Sequence, residues 1–192
     1  MQPLILASSS PYRRELLNRL RLPFTCATPD IDETRHAGES AHNLVQRLAE
    51  EKARALATQF DDHLIIGSDQ VAVINGEILG KPHNLERAAR QLQAASNSSV
   101  SFLTGVALLN SKNGTCQVDY VPFTVHFRAL SQAAIFRYLE AEQPFDCAGS
   151  FKAEGLGISL FRSTEGPDAT SLIGLPLIRL IDMLLQENVQ IP

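Results

Sequence analysis

The chain has 192 residues, 44% of them hydrophobic and 20% charged, which excludes a disordered segment and is enough to bury one sizeable core or two closely packed ones. A net charge of −4, with both signs mixed along the chain, excludes an extended nucleic-acid or anionic-membrane surface, since either needs a basic excess. The three cysteines Cys26, Cys116 and Cys147 are widely spaced and form no CxxC, so neither a disulfide framework nor a zinc knuckle is expected and a reducing cytosol fits.

The amino terminus lacks a basic n-region, and no run of 18 apolar residues occurs, so a signal peptide and a membrane span are not expected. Residues 3–7 read as a short apolar strand running into Ser8-Ser9-Ser10-Pro11, a helix start, and then YRRELLNRL, with Leu16, Leu17 and Leu20 on one face. Arg13 and Arg14 fall in the first turn, where the macrodipole is positive and each cation costs about 0.3–1 kcal/mol. An anion there reverses that sign. Helix-start N–H groups, the Ser8 hydroxyl and two guanidinium forks then make a phosphate site; two solvated arginines are the alternative.

After a strand at 22–27 comes the acidic loop PDIDET, with Asp30, Asp32 and Glu33. Mg²⁺ is usually held by one or two carboxylates plus substrate phosphates, so Glu33 with Asp69 suffices for a metal; a solvated loop explains the stretch equally well. Ser40 opens a helix reaching about residue 59, with Leu44, Val45, Leu48, Ala49 and Leu56 as its apolar stripe. Lys52 projects inside that stripe, where it needs an anion or a route to snorkel out.

The run 63–67 predicts a buried strand with Ser68 and Asp69 at its carboxyl end. Residues 71–74 predict a second strand, and Asn75-Gly76 turns it into Glu77-Ile78-Leu79. Asp69 is thus expected in the break between strands, as a ligand-facing carboxylate or as a turn residue. Gly80-Lys81-Pro82 fixes a lysine between two residues that limit backbone shape, and Asn84 caps the helix LERAARQLQAA. Residues 100–109 and 115–127 read as two strands, with His126 on the face opposite Val125 and Phe127. Ser131 starts a helix ending before Pro144. The stretch FDCAGSFKAEGLGISLF is glycine-rich around Lys152 and Glu154, which predicts a close-approach loop. Pro176 opens a last helix packing Leu177, Leu180, Ile181, Leu184 and Leu185 inward. The whole, 1–192, is expected to be one domain.

Cations at Arg13, Arg14, Lys52, Lys81 and Lys152, with carboxylates at Glu33 and Asp69, are what a polyphosphate ester and its metal demand. No Walker A string or GxGxxG is present, so neither of those nucleotide sites is expected.

Together LASSSPYRREL at 6–16, DET at 32–34, EKA at 51–53, GSDQV at 67–71, GKP at 80–82, TGVALL at 104–109, GSFKAEG at 149–155 and GLPL at 174–177 resemble the Maf-like nucleotide pyrophosphatases over essentially the whole chain. That resemblance implies an α/β fold, a curved mixed sheet flanked by helices with two lobes around a nucleotide-binding cleft, often dimeric. It also implies hydrolysis of a nucleoside triphosphate to the monophosphate and diphosphate with Mg²⁺ or Mn²⁺. Asp69 matches the family's proton acceptor. Three positions sort the family by base: the branch acting on dTTP and UTP has Arg, Thr and Gln where this chain has Tyr12, Gln70 and Glu154. This chain resembles the branch acting on 7-methyl-GTP, with Tyr12 in place of its usual Trp. A pyrophosphatase for dTTP, UTP or another non-standard nucleoside triphosphate, and a division-control protein that binds nucleotide without turnover, are the alternatives.

Overall fold

The computed structural model describes residues 2–191. Its framework is one seven-stranded mixed sheet. Strand β1 (Leu4–Ala7) leads into α1 (Pro11–Asn18) and returns through β2 (Phe24–Ala27), parallel to it. Helix α2 (Ala41–Arg54) precedes the long strand β3 (Leu64–Ile74), which turns into the short β4 (Glu77–Leu79). After α3 (Leu85–Ala95) come the long antiparallel strands β5 (Ser99–Asn110) and β6 (Cys116–Phe127), then α4 (Gln132–Glu142). Two 3₁₀ turns, Ala148–Ser150 and Leu156–Leu160, lead to β7 (Phe161–Glu165), α5 (Ala169–Ile173) and α6 (Leu177–Gln186).

The strand order is β2-β1-β3-β5-β6-β7, with β4 also paired to β3. One flank of β3 is covered throughout by β5, from Leu64↔Asn110 to Val73↔Ser101. Its other flank is divided. Strand β1 pairs there only as far as Leu6↔Ile66, and β4 begins only at Ala72↔Leu79. Between them β3 runs for five residues, 67–71, beside a gap in the sheet.

The separation of the predicted strands at 63–67 and 71–74 is corrected: β3 is continuous through Asp69. Its backbone pairs with Gly105 across the ladder while its carboxylate finds a cation, so a polar side chain does not break the strand. Helix α2 ends at Arg54, short of residue 59, because the chain there tightens into turns, although Leu56 is still buried. Strand β7 and helix α5 escape prediction, since FRSTE is mostly exposed and carries no alternation. On α6 the inward set is Leu177, Leu180, Met183 and Leu184; Leu185 points to solvent at 48% exposure, off the buried stripe.

Apolar side chains fill both sides of the sheet. Leu4, Leu6, Leu64 and Ile66 pack against Leu16 and Leu17 of α1 and Leu180 and Leu184 of α6. A separate cluster at the other end joins Phe102, Phe123, Val125 and Phe127 to Leu92, Tyr138 and Phe151. Helix α2 lies on the opposite face at backbone contact. A Cβ on Gly67 would stand 1.9 Å from the Ala49 carbonyl oxygen, and one on Gly105 2.1 Å from that of Val45. Val45, Ala49 and Lys52 share one face at helical spacing, so this contact carries Lys52 to the sheet beside Asp69.

Candidate active site

A cavity of about 740 Å³ occupies the gap in the sheet, within the range of small-molecule sites. The end of β1 and start of α1 supply Ser8, Ser10, Tyr12 and Arg13; β3 supplies Asp69, Gln70 and Val71; the segment after β4 supplies Gly80 and Lys81.

Lys52 is the hinge of its polar end. The ammonium lies 2.7 Å from Asp69 Oδ1 and 2.8 Å from Glu33 Oε1. Its side chain is 8% exposed and that of Asp69 11%, against 58% for Glu33, so a buried ion pair is joined by a carboxylate from a solvated loop. Burial works to raise the Glu33 pKa, but the Lys52 hydrogen bond and charge, with Lys81 and Arg13 behind them, bring it below its ordinary value. Each carboxylate gives one oxygen to Lys52 and keeps the other. That donor set fits a divalent cation of the kind held by one or two carboxylates plus phosphates. Among the described residues no cluster of three or more His, Cys, Asp and Glu forms an all-protein cage.

Arg13 is anchored rather than loose. Its Nε donates to the Gly174 carbonyl at 2.8 Å, and Ser68 Oγ donates to the same carbonyl at 2.9 Å and to that of Gly105 at 2.8 Å. Burial lowers the guanidinium pKa, and the Asp69 and Glu33 charges act against that. Ser10 Oγ caps α1 by accepting the Arg13 N–H at 3.4 Å, while Ser8 Oγ accepts the Ser10 N–H at 3.1 Å. The Gly174 turn is itself held by buried Asp168, which accepts from Thr170 at the start of α5 and from the Ile178 N–H of α6. Lys81 lines the cavity from an exposed position and makes no ion pair among the described residues.

At the other end Tyr12 and Glu154 share the wall with Asp146 and Cys147. Burial first, then the neighbouring Cys147 and Asp146, raise the Tyr12 hydroxyl above its ordinary pKa; burial likewise pushes the Cys147 thiol up to about 12, so it stays protonated. Glu154 is open to solvent by surface area, yet the surrounding loop desolvates its carboxylate enough to raise its pKa. Gln70 has a fixed orientation. Its Nε2 faces Thr104 Oγ1 at 2.9 Å, the Ser171 carbonyl at 2.8 Å and the Leu172 carbonyl at 3.1 Å. Carbonyls only accept, so the nitrogen must face them, leaving Oε1 as a free acceptor.

Two sequence-predicted cations are not brought in. Arg14 is exposed and lines a separate shallow groove with Asn18 and Leu22. Lys152 turns from the cavity, donating to the Glu142 carbonyl at 3.2 Å with the Glu142 carboxylate 3.6 Å away, so its charge is already neutralised. Asp146 and Cys147 went unread because nothing in FDC distinguishes wall residues from loop residues.

The description "Maf-like protein" matches residues 3–187. The chain belongs to the Maf family. Among the most similar relatives, a protein of Pseudomonas savastanoi pv. phaseolicola is 73% identical and one of Pseudomonas aeruginosa 70% identical, each over 100% of both chains. One of Alcanivorax borkumensis is 58% identical over 98% of this chain and 96% of its own. All three are named 7-methyl-GTP pyrophosphatase. Of solved structures, the Staphylococcus aureus Ham1 protein superimposes with a TM-score of 0.56 at 12% identity, covering 98% of this chain and all of its own, a likeness of fold. This Maf chain has no described helix long and apolar enough to cross a membrane.

Proposed function

We propose that this Maf protein hydrolyses 7-methyl-GTP to 7-methyl-GMP and diphosphate, removing a modified nucleotide. The observation that carries this reading is the identity of about 70% along the entire chain with relatives bearing that name, and the cavity has the groups the reaction requires. Water attacks the α-phosphorus, its oxygen forms the new bond, and the bond from that phosphorus to the bridging oxygen breaks, so diphosphate leaves. Asp69 takes the proton from the water. Lys52 holds Asp69 and Glu33 side by side. Ser8, Arg13 and Lys81 bind the phosphates, where positioning and charge neutralisation supply most of the catalysis. Glu33 and Asp69 would hold Mg²⁺ or Mn²⁺ together with the substrate phosphates, and the metal would supply neutralisation of the charge that develops there.

The base lies against Tyr12, Gln70 and Glu154. Methylation at N7 makes guanine cationic, and a desolvated cation on an aromatic face gains about 2 kcal/mol, so Tyr12 with Glu154 favours 7-methylguanine over guanine. Arg14 and Lys152 take no part in phosphate binding. One domain, a cytoplasmic location and a homodimer complete the reading; the three free cysteines suit a reducing compartment.

The test is diphosphate release from a nucleotide panel with Mg²⁺ and with Mn²⁺. The expected result is the highest kcat/KM on 7-methyl-GTP. A preference for dTTP or UTP overturns the base assignment, and no diphosphate from any nucleotide makes the protein a binder without turnover.

A further inference from the structure

The gap that forms the cavity also leaves part of a ladder without a partner. Residues along a strand direct their peptide N–H and C=O alternately to the two flanks. In β3 the phase is set by Leu64, whose N–H donates to the Pro3 carbonyl on the β1 side. Ile66, Ser68, Gln70 and Ala72 therefore present their peptide groups to that same flank, while Ile65, Gly67, Asp69 and Val71 present theirs to β5. Ile66 is met by β1 and Ala72 by β4, but Ser68 and Gln70 lie between the last β1 pair and the first β4 pair. Among the described residues no turn, loop or side-chain hydrogen bond reaches the backbone of either. Ser68 is buried and does not line the cavity, whereas Gln70 is half-buried and does, so the Gln70 peptide groups face that space. Buried peptide groups without partners are rare, because each costs about as much as a lost hydrogen bond.

We infer that the β3 edge at Gln70 is a main-chain subsite for the nucleobase, which binds there as the missing strand would. This deepens the proposed function and rests on it for the identity of the base. The Gln70 N–H offers a donor and its C=O an acceptor in the plane of the sheet. The side-chain Oε1 adds a second acceptor on the same residue. The Watson–Crick edge of guanine, alkylated at N7 or not, carries the complement: the O6 acceptor next to the N1–H and N2–H donors. The phosphates are directed elsewhere, because Asp69, one residue along, turns its side chain to the opposite face of the sheet, toward Lys52 and Glu33. The strand thus divides the ligand: Gln70 reads the base through its main chain, and Asp69 works on the phosphate through its side chain.

The test is residue-resolved amide hydrogen exchange by NMR on the full chain, free and with saturating 7-methyl-GMP, ribose 5-phosphate or diphosphate. In the free protein the amides of Gly67, Asp69 and Val71 exchange slowly, and that of Gln70 fast. With 7-methyl-GMP the Gln70 amide slows by roughly tenfold or more, and its carbonyl carbon shifts while that of Asp69 does not. Ribose 5-phosphate and diphosphate leave both signals unchanged. A Gln70 amide already protected in the free protein overturns the inference. So does one slowed equally by ribose 5-phosphate or diphosphate, or one left fast while 7-methyl-GMP shifts the Tyr12 ring resonances. If 7-methyl-GMP fails to bind and a pyrimidine monophosphate protects the Gln70 amide instead, the main-chain subsite stands and the base assignment of the proposed function falls.

Discussion

Replacing Lys52 with methionine keeps a side chain of similar length among Leu48 and Leu56 and removes the only ion-pair partner that Asp69 and Glu33 have among the described residues. Deleting one partner of a fully buried pair costs about 3–5 kcal/mol. Asp69 borders an open cavity, and Glu33 is more than half exposed, so the Asp69 share falls to roughly 1–3 kcal/mol and the Glu33 share to about a few tenths of a kcal/mol. At about 2–4 °C per kcal/mol for a chain of this length, the melting temperature at neutral pH drops by several degrees. The pH dependence is more diagnostic. In the wild type the Glu33 pKa is lowered on folding, so its contribution is present above the unfolded pKa and is lost as pH falls through the folded one. In Lys52→Met the main lowering influence on Glu33 is gone while its burial remains, so ionising that carboxylate now works against folding. The stability difference between the two proteins should be widest near pH 7 and narrow in acid as Glu33 protonates and no longer needs the Lys52 charge. Thermal unfolding of both proteins across that range, without nucleotide, is the assay. Equal melting temperatures at neutral pH, or a difference that widens in acid, would refute the account of Lys52 as the counter-ion holding this end of the site.

Asp69→Asn should leave a folded protein whose turnover of 7-methyl-GTP falls by about 10²–10⁴, the usual share of a positioned acid or base; near-normal turnover measured by diphosphate release would remove Asp69 from that role. Glu154→Gln should shrink the ratio of kcat/KM for 7-methyl-GTP over GTP while leaving GTP nearly unchanged, because only the cationic base interacts with the lost charge; an unaltered ratio would show that the carboxylate does not face the base. Gly67→Ala should destabilise by more than about 3 kcal/mol, since its methyl would collide with the Ala49 carbonyl and push α2 off the sheet; denaturant unfolding with a midpoint like the wild type's would contradict the close approach. Asp168→Ala should cost about 2–4 kcal/mol, because three donors from α5 and α6 lose their acceptor, and a stable variant in the same assay would mean that water replaces it.

Local chemistry was legible in the sequence. Ser10, Ser40, Asn84 and Ser131 cap their helices with a side-chain acceptor, as their types and positions imply. Asn75-Gly76 turns the β3–β4 hairpin with both residues at positive φ. The position of Lys52 inside an apolar stripe called for an anion or a route to solvent, and the carboxylates of Asp69 and Glu33 are what it meets. All of these signals depend on residues within a turn or two of one another. What depends on distant pairing was not legible. Asp69 stays within a continuous strand because Gly105, far along the chain, supplies its ladder partner and Lys52 its counter-ion. Arg14 and Lys152 belong to the same motifs as Arg13 and Glu154, but one points to solvent and the other is claimed by Glu142. The cavity lies where β1 stops and β4 has not begun, and those limits are set by how far each strand runs alongside β3. Composition and spacing determined which residues were available for a nucleotide; the sheet register decided which of them meet, because hydrogen-bond pairing between remote strands leaves no local signature in the residues that it joins.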